Sequence, residues 1–434
     1  MTARLTAPFT VLLAALSLLA VVLCACTYQR GGGMRVATIQ QKGPVPTGVP
    51  LVLGFVTQED SPTGSFPETR RAAEAAVAYV NEDLGGVEGR PLRLRSCRTD
   101  GSPESSQACA RQLLAARPLA VVGGVDFGAG AALPAYEKAK VPYVSGSPQL
   151  LAELIDPNSY ALTGGTAAEL LGTADYLINT LHVHKVNALY VDLPGLLASA
   201  TASAKTIFDK KKIANRLVAE KADAADFTPA LTSATAGKPD AVVIVFPAAS
   251  CQRILQAAAG LGTTVPLVVP GSCAVPRVLA SAGPTVPVLA ASNYTLVPGG
   301  GGTPEEQAYR QLFSPADQAP IAQAAFSTVL DVRRLLLEAG TSPNSEAIRR
   351  GLAASHEHPS AMAHPYTCDR KQLPLVVAIC NGFVRILSWH GGVRATSSGP
   401  GRWPQNGPAA DQLIPAGQRA PCVRSQASSS PCTG

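Results

Sequence analysis

Apolar runs too continuous for a sheet with one wet face alternate with amphipathic stretches from residue 49 onward. Residues 49–56 (VPLVLGFV), 119–125 (LAVVGGV), 240–246 (DAVVIVF) and 265–271 (VPLVVPG) are the clearest of these runs. Strands of this kind are buried on both faces, as in a parallel sheet sandwiched between helices. The first array predicts strands at 49–56, 91–97, 119–125 and 141–147 and helices at 67–81, 102–116 and 128–140. Pro67 suits a first helical turn. The rhythm restarts near Ala167, with helices at 167–181, 196–210, 226–234 and 250–260 and strands at 186–192, 213–220, 240–246 and 265–271. Residues 286–297 form a longer extended stretch fit to pass between lobes. Helices follow at 305–312, 321–339 and 345–354, and residues 366–389 read as strands and turns. The stretch 49–393 is too long for one core. The predicted class is α/β, with two doubly wound parallel-sheet lobes.

The chain starts with Arg4, then an apolar run from Val11 to Leu23 that ends in Leu23-Cys24-Ala25-Cys26. A basic start, a short apolar core and small residues at a cut site form a secretory signal pattern over residues 1–25. The Leu-x-Ala-Cys ending resembles the bacterial lipobox, which implies cleavage before Cys26 and diacylglycerol on its sulfur. Two acyl chains suffice for stable anchoring, so the protein is expected outside the cytoplasm, held to the cell membrane. The rival is an uncleaved transmembrane anchor, for which the run is short. Residues 26–48 read as a flexible tether, and residues 394–434, rich in Ser, Gly, Pro and Gln, as a loosely ordered tail.

Ten cysteines occur. With Cys24 in the signal and Cys26 lipidated, the rest fall into sequence-adjacent pairs: Cys97–Cys109, Cys251–Cys273, Cys368–Cys380 and Cys422–Cys432. An even count in an exported protein argues for disulfides. Metal ligation is the rival, but no CxxC occurs. His356, His358 and His364 cluster before the final strands, two of them beside prolines in an apparent loop; no metal and no cofactor is expected. The net charge of +6 is spread along the chain, and nothing suggests nucleic acid. There is no GxSxG, HExxH or GxxxxGK[ST], so an enzyme is not expected.

Four segments then carry a family resemblance. The first, YVNEDLGGVEGRPLRLRSCRTDGSPESSQACARQL, places Asn81, Gly85-Gly86, Gly89-Arg90, Asp100 and Ala110-Arg111 at family spacing. The others are ALPAYEKAKVPYVSGSP, DFTPALTSATAGKPDAVVIV and YTCDRKQLPLVVAIC. In this order they resemble type I periplasmic solute-binding proteins of the branched-chain amino acid receptor (Leu/Ile/Val-binding protein-like) group, which serve ABC importers. The resemblance spans roughly residues 49–392. It implies two lobes joined by three crossovers, with lobe 1 at 49–163 plus 293–360 and lobe 2 at 164–292 plus 361–393. It also implies a monomer whose partners are a small-molecule ligand and an ABC permease.

Ligands of doubly wound sheets bind beyond the carboxyl ends of strands, near helix N-termini. That geometry selects the loops holding Phe66, Asp126, Phe127, Gly128, Ser145, Ser147 and Gln149 in the first lobe and Asp192, Pro247 and Ser272 in the second. Where the family holds a ligand carboxylate with a serine, this chain has Asp126, which suits an ammonium, a guanidinium or sugar hydroxyls, or caps the helix after it. The acid and the aromatic that amino acid receptors carry in lobe 2 are replaced by Pro270-Gly271-Ser272-Cys273 and Leu193-Pro194. The expected function is a lipid-anchored receptor delivering a small polar, amino acid-like ligand to an importer by lobe closure. The alternative is a sensor that presents bound ligand to a membrane signalling partner. Cys26→Ala is expected to release the protein from the membrane fraction on cell fractionation; retention there would mean an uncleaved anchor.

Overall fold

The computed structural model of the chain describes residues 42–59, 61, 64–192, 205–294, 303–314, 318–372, 376–390 and 393–401, the last stretch by its backbone. The signal, Cys26, most of the tether, and Cys422 and Cys432 lie outside the described residues. No helix among the described residues is long and apolar enough to cross a membrane.

Two sheets form, each with a parallel core. The first has the order β2-β1-β3-β4-β5 and contains β1 (Leu51–Gln58), β2 (Leu92–Thr99), β3 (Val121–Gly123), β4 (Tyr143–Ser145) and β5 (Ser159–Ala161). All its pairings are parallel. Helix α1 (Pro67–Glu82) covers one face and α2 (Pro103–Ala115) and α3 (Ala129–Lys138) the other. Helix α1 has Pro67 in its first turn and buries Ala72, Ala73, Ala76, Val77 and Val80, a stripe at helical spacing. The Ser102 side chain caps α2 by accepting from the Ser105 N–H.

The residues that carry the family resemblance are turn-makers. The Asn81 amide pairs with the Leu92 backbone in both directions, 2.9 and 2.8 Å, as a strand would. Gly86 has φ +74°, and a Cβ there would run into the Arg90 carbonyl. Asp100 accepts from the Ser102 N–H at 2.8 Å and so shapes the start of α2.

The second sheet has the order β12-β11-β10-β9-β8-β6-β7. Strands β6 (Lys185–Val191), β7 (Ala214–Glu220), β8 (Ala241–Val245), β9 (Leu267–Val269) and β10 (Val288–Ser292) run parallel. β11 (Val384–His390) and β12 (Val393–Gly401) add antiparallel at the β10 edge. Helix α5 (Gly165–Asn179) and the helical residues 205–210 cover one face. Helices α6 (Thr228–Thr235), α7 (Ala248–Gly260) and α8 (Pro276–Ala280) cover the other.

The chain passes between the sheets three times: from β5 into α5, from β10 back to the first lobe, and from residue 376 onward into β11. The middle return brings α9 (Pro304–Leu312), α10 (Pro320–Glu338) and α11 (Ser345–Ala354) into the core of the first lobe, where Phe326 stacks on Tyr79. Ala361–Ala363, Tyr366 and Cys368 belong to that same core, although the expected division assigned 361–393 to the second lobe; the chain joins the second sheet only at Val384. β12 likewise extends regular structure to Gly401, beyond the expected start of the tail at 394. The short elements α4 (Leu151–Ile155), β5 and α8 were not read from the sequence.

Three of the expected disulfides are formed: Cys97–Cys109 ties β2 to α2, Cys251–Cys273 ties α7 to the turn after β9, and Cys368–Cys380 clips the third crossing. Cross-links act chiefly by restricting the unfolded chain, and a loop of this length contributes about 3 kcal/mol. Replacing Cys97 and Cys109 together by serine is expected to lower unfolding free energy in urea by about 2–4 kcal/mol with the native circular dichroism unchanged.

Candidate functional site

Gln58 ends β1 fully buried and stitches the tips of the first sheet together. Its carbonyl accepts from Phe66 N–H at 2.9 Å, its Nε2 donates to Gly64 O at 2.8 Å, and its Oε1 accepts from Phe127 N–H at 3.2 Å. Phe66 and Phe127 consequently meet edge to face, 6.1 Å between centroids, with Phe127 39% exposed. They form an apolar rim on this lobe.

Asp126 points inward from the same loop, 1% exposed. Its Oδ1 accepts from Thr99 Oγ1 at 2.9 Å, Ser106 Oγ at 2.9 Å and Gly128 N–H at 3.1 Å. Burial raises its pKa above the usual carboxylate value, against those hydrogen bonds. It braces β2, α2 and the start of α3. Gly128 is buried at the turn into α3, where a Cβ would strike Ser106 and Ser102.

The next tip is also knitted internally. Ser145 is fully buried, and its Oγ accepts from Ser147 N–H at 3.3 Å. Gln149 Nε2 donates to Ser147 O at 2.9 Å and Ser147 Oγ at 3.0 Å, while its Oε1 accepts from Thr166 Oγ1 at 3.3 Å. Gln149 therefore ties the first lobe to the first turn of α5, across the first crossing. Gly165, with φ +55°, lets that turn press against Pro148. Beneath the tip, Glu153 Oε2 accepts from the N–H groups of Gln149 and Leu150 at 2.7 and 2.9 Å, and Oε1 accepts from Tyr143 Oη at 2.9 Å. Burial pushes Glu153 up to about 7.

In the second lobe, Pro247 precedes α7, Ser272 lies in the 3-10 turn Gly271–Cys273, and both are half-buried. Cys251–Cys273 fastens these two loops to each other. Asp192 is exposed at the tip of β6, its N–H donating to Glu220 O at 2.8 Å. Helix α10 of the first lobe comes against the Gly271–Cys273 turn, so this turn faces the other lobe. Against this turn sits a carboxylate that sequence reading missed. Glu169 on α5, half-buried, accepts from Gly271 N–H at 3.1 Å and Asn293 Nδ2 at 2.9 Å. Its one signal was a lone acid in GTAAELLG. A separate packing gap lined by Leu170, Phe208, Leu217 and Val243 lies on the sheet face under residues 205–210, away from these tips.

The sequence model for periplasmic binding proteins matches residues 50–373. The chain belongs to the periplasmic binding protein family. Its fold is that of solved relatives. One is a branched-chain amino acid transporter substrate-binding protein from Streptococcus pneumoniae in complex with isoleucine, at 18% identity and TM-score 0.62 over 81% of this chain and 98% of that one. Another is an ABC transporter solute-binding protein from Rhodopseudomonas palustris BisB5 in complex with 3,4-dihydroxybenzoic acid, at 18% and 0.64 over 81% and 97%. A fatty acid ABC transporter substrate-binding protein from Thermomonospora curvata matches at 15% and 0.63 over 82% and 93%. No curated protein matches the chain in sequence.

Glu153 gives this binding protein a pH signature. Its folded pKa, about 7, lies above its ordinary 4.5. Between those values the native state binds more protons than the unfolded chain, so stability falls as pH rises through that window and levels off above it. Glu153→Gln keeps a carbonyl for the two backbone donors and an N–H for Tyr143. It is expected to remove this part of the slope, on the order of 2 kcal/mol between pH 5 and 8; urea unfolding of both proteins at the two pH values measures it.

Proposed function

We propose that this protein is a lipid-anchored extracytoplasmic receptor that closes its lobes on a small polar solute and delivers it to an ABC importer. The observation that carries the reading is the pair of parallel-sheet lobes linked by three crossings, with Gln149–Thr166 tying lobe to lobe at the first of them. Such a linkage permits rotation of one lobe against the other about short segments. A ligand that touches both lobes then favours the closed arrangement in proportion to its extra contacts there. The tips of the first lobe supply an apolar rim, Phe66 and Phe127, beside the half-buried Ser147 and Gln149; those of the second supply Asp192, with Pro247 and Ser272 on two loops fastened to each other by a disulfide. These seven positions, with Asp126, Gly128 and Ser145 as the frame behind them, are our candidates for the ligand site and its support. The relatives' named ligands range from isoleucine to 3,4-dihydroxybenzoic acid, so the fold is compatible with several solute classes.

A thermal-shift screen of a soluble form starting at residue 34 tests the reading. A solute present at a hundred times its dissociation constant adds about 2.7 kcal/mol of stability, a shift of a few degrees in Tm. No shift with amino acids, amines, aromatic acids, fatty acids or sugars would remove the basis for a solute receptor.

A further inference from the structure

The three crossings are joined by one chain of contacts, and it runs through a loop that carries candidate ligand residues. At the first crossing, Thr163 Oγ1 donates to Gly146 O at 2.7 Å. At the second, Tyr294 Oη donates to the same oxygen. The backbone of Tyr294 also pairs in antiparallel register with Ala363. The next residue, His364, offers its carbonyl to Asn381 Nδ2 at 3.0 Å, on the third crossing. Thr163, Tyr294 and Asn381 are all buried. Gly146 stands between Ser145 and Ser147, and a Cβ there would strike Thr328 Oγ1 and Tyr294 Oη. The loop can lie this close to them only as glycine.

Along each crossing the bonding changes lobe abruptly. Asn293 is held by α5 of the second lobe, its Nδ2 donating to Gly165 O at 3.2 Å and to Glu169 Oε1 at 2.9 Å. One residue on, Tyr294 belongs to the core of the first lobe with Phe326 and Tyr366. Ser292 Oγ accepts from Tyr294 N–H at 3.2 Å and shapes the bend between them. At the first crossing Thr163 holds Gly146, whereas Gly165, with φ +55°, holds Asn293. At the third, Cys380 N–H donates to Ala161 O at 2.8 Å, and β11 opens at Val384. The change falls within a few residues each time, at 163–165, 293–294 and 380–384. Short segments of this kind absorb the backbone rotation when lobes turn.

We propose that Tyr294 is a positioning residue: its hydroxyl fastens the second crossing to Gly146, so that rotation of the lobes and movement of the Ser145–Gln149 loop are coupled. This inference rests on the lobe rotation of the receptor reading above. A carbonyl oxygen has two lone pairs, and Gly146 O gives both to crossing residues, Thr163 and Tyr294. A solute gripped by Ser147 or Gln149 therefore pulls on two crossings at once, and a turn of the lobes re-aims the grip. Tyr294 itself touches no solute in this scheme. Burial pushes its hydroxyl well above the ordinary pKa, so it stays a donor across the physiological range. Tyr309 offers a comparison inside the first lobe: it is buried in the same core and donates to Ala319 O at 3.2 Å.

The test places spin labels at Lys138→Cys in the first lobe and Lys211→Cys in the second, both exposed positions, and reads the distance between them without solute. Amide hydrogen exchange over residues 145–150 reads the loop. Tyr294→Phe keeps the ring and removes the donor. Losing one net hydrogen bond makes the arrangements that break it about five-fold more populated. The expected result in Tyr294→Phe is therefore a fraction outside the main distance peak about five-fold larger, and loop exchange about five-fold faster, than in the parent protein. Tyr309→Phe, which removes another core hydroxyl, should leave both readouts where they were. Thr163→Val removes the second donor to Gly146 O and should move both in the same direction as Tyr294→Phe; it decides the question if Tyr294→Phe does not fold. Either readout unmoved by Tyr294→Phe, or moved as far by Tyr309→Phe, would overturn the coupling and leave Tyr294 a core tyrosine. Neither readout needs a solute, so the coupling and the receptor reading fail on separate results.

Discussion

Parallel strands cannot be joined by a tight turn. Parallel strands that follow one another in the chain must be linked by a segment that crosses a face and comes back, and the amphipathic helices between the strands do so. Once both faces are covered, the carboxyl tips are where loops of free composition remain. The placement of Gln58, Asp126, Ser147, Gln149, Gly271 and Asn293 follows from that one requirement. So does the location of any guest, since the sheet faces are filled by Leu53, Phe55, Val122, Val144 and their helical partners in one lobe and by Leu189, Ile244, Leu267 and Val269 in the other.

Many of the polar side chains at the tips are engaged with the protein itself. Gln58 holds two loops, Asp126 braces three elements, and Gln149 joins the lobes through Thr166. Such internal bonding makes the loops stiff, which lowers the entropy lost when a ligand is gripped. It also narrows the set of groups with bonding capacity to spare. Asp126 Oδ2 and Asn293 Oδ1 are among them, both buried with no hydrogen-bond partner among the described residues.

The strand-and-helix rhythm was legible because β1, β2, β6, β7 and β8 are five residues or longer and strongly apolar or alternating. β5 was not. Its three residues, SYA, have no periodicity, and pairing with β4 and with the segment around Ile379 specifies them. At the site, Asp126 was visible as a charge in a glycine-rich loop, but its partners Thr99 and Ser106 sit 27 and 20 positions away. Only folding shows that the side chain turns inward. Glu169 was hidden more thoroughly. It reads as one polar residue in an alanine-rich helix, and its partners lie 102 and 124 positions downstream.

The threefold passage of the chain also orders events during synthesis. The core of the first lobe unites Leu53 and Phe55 with Tyr309, Phe326, Tyr366 and Cys380, so it stays unfinished until residue 380 has been made. The second sheet, by contrast, draws its five parallel strands from the uninterrupted stretch 185–292. On a chain emerging N-terminus first, β11 and β12 close the second sheet last, but its five parallel strands are made before the helices that complete the first lobe. Its strands β1 to β5 wait with apolar edges exposed until helices encoded some two hundred residues on arrive to cover them.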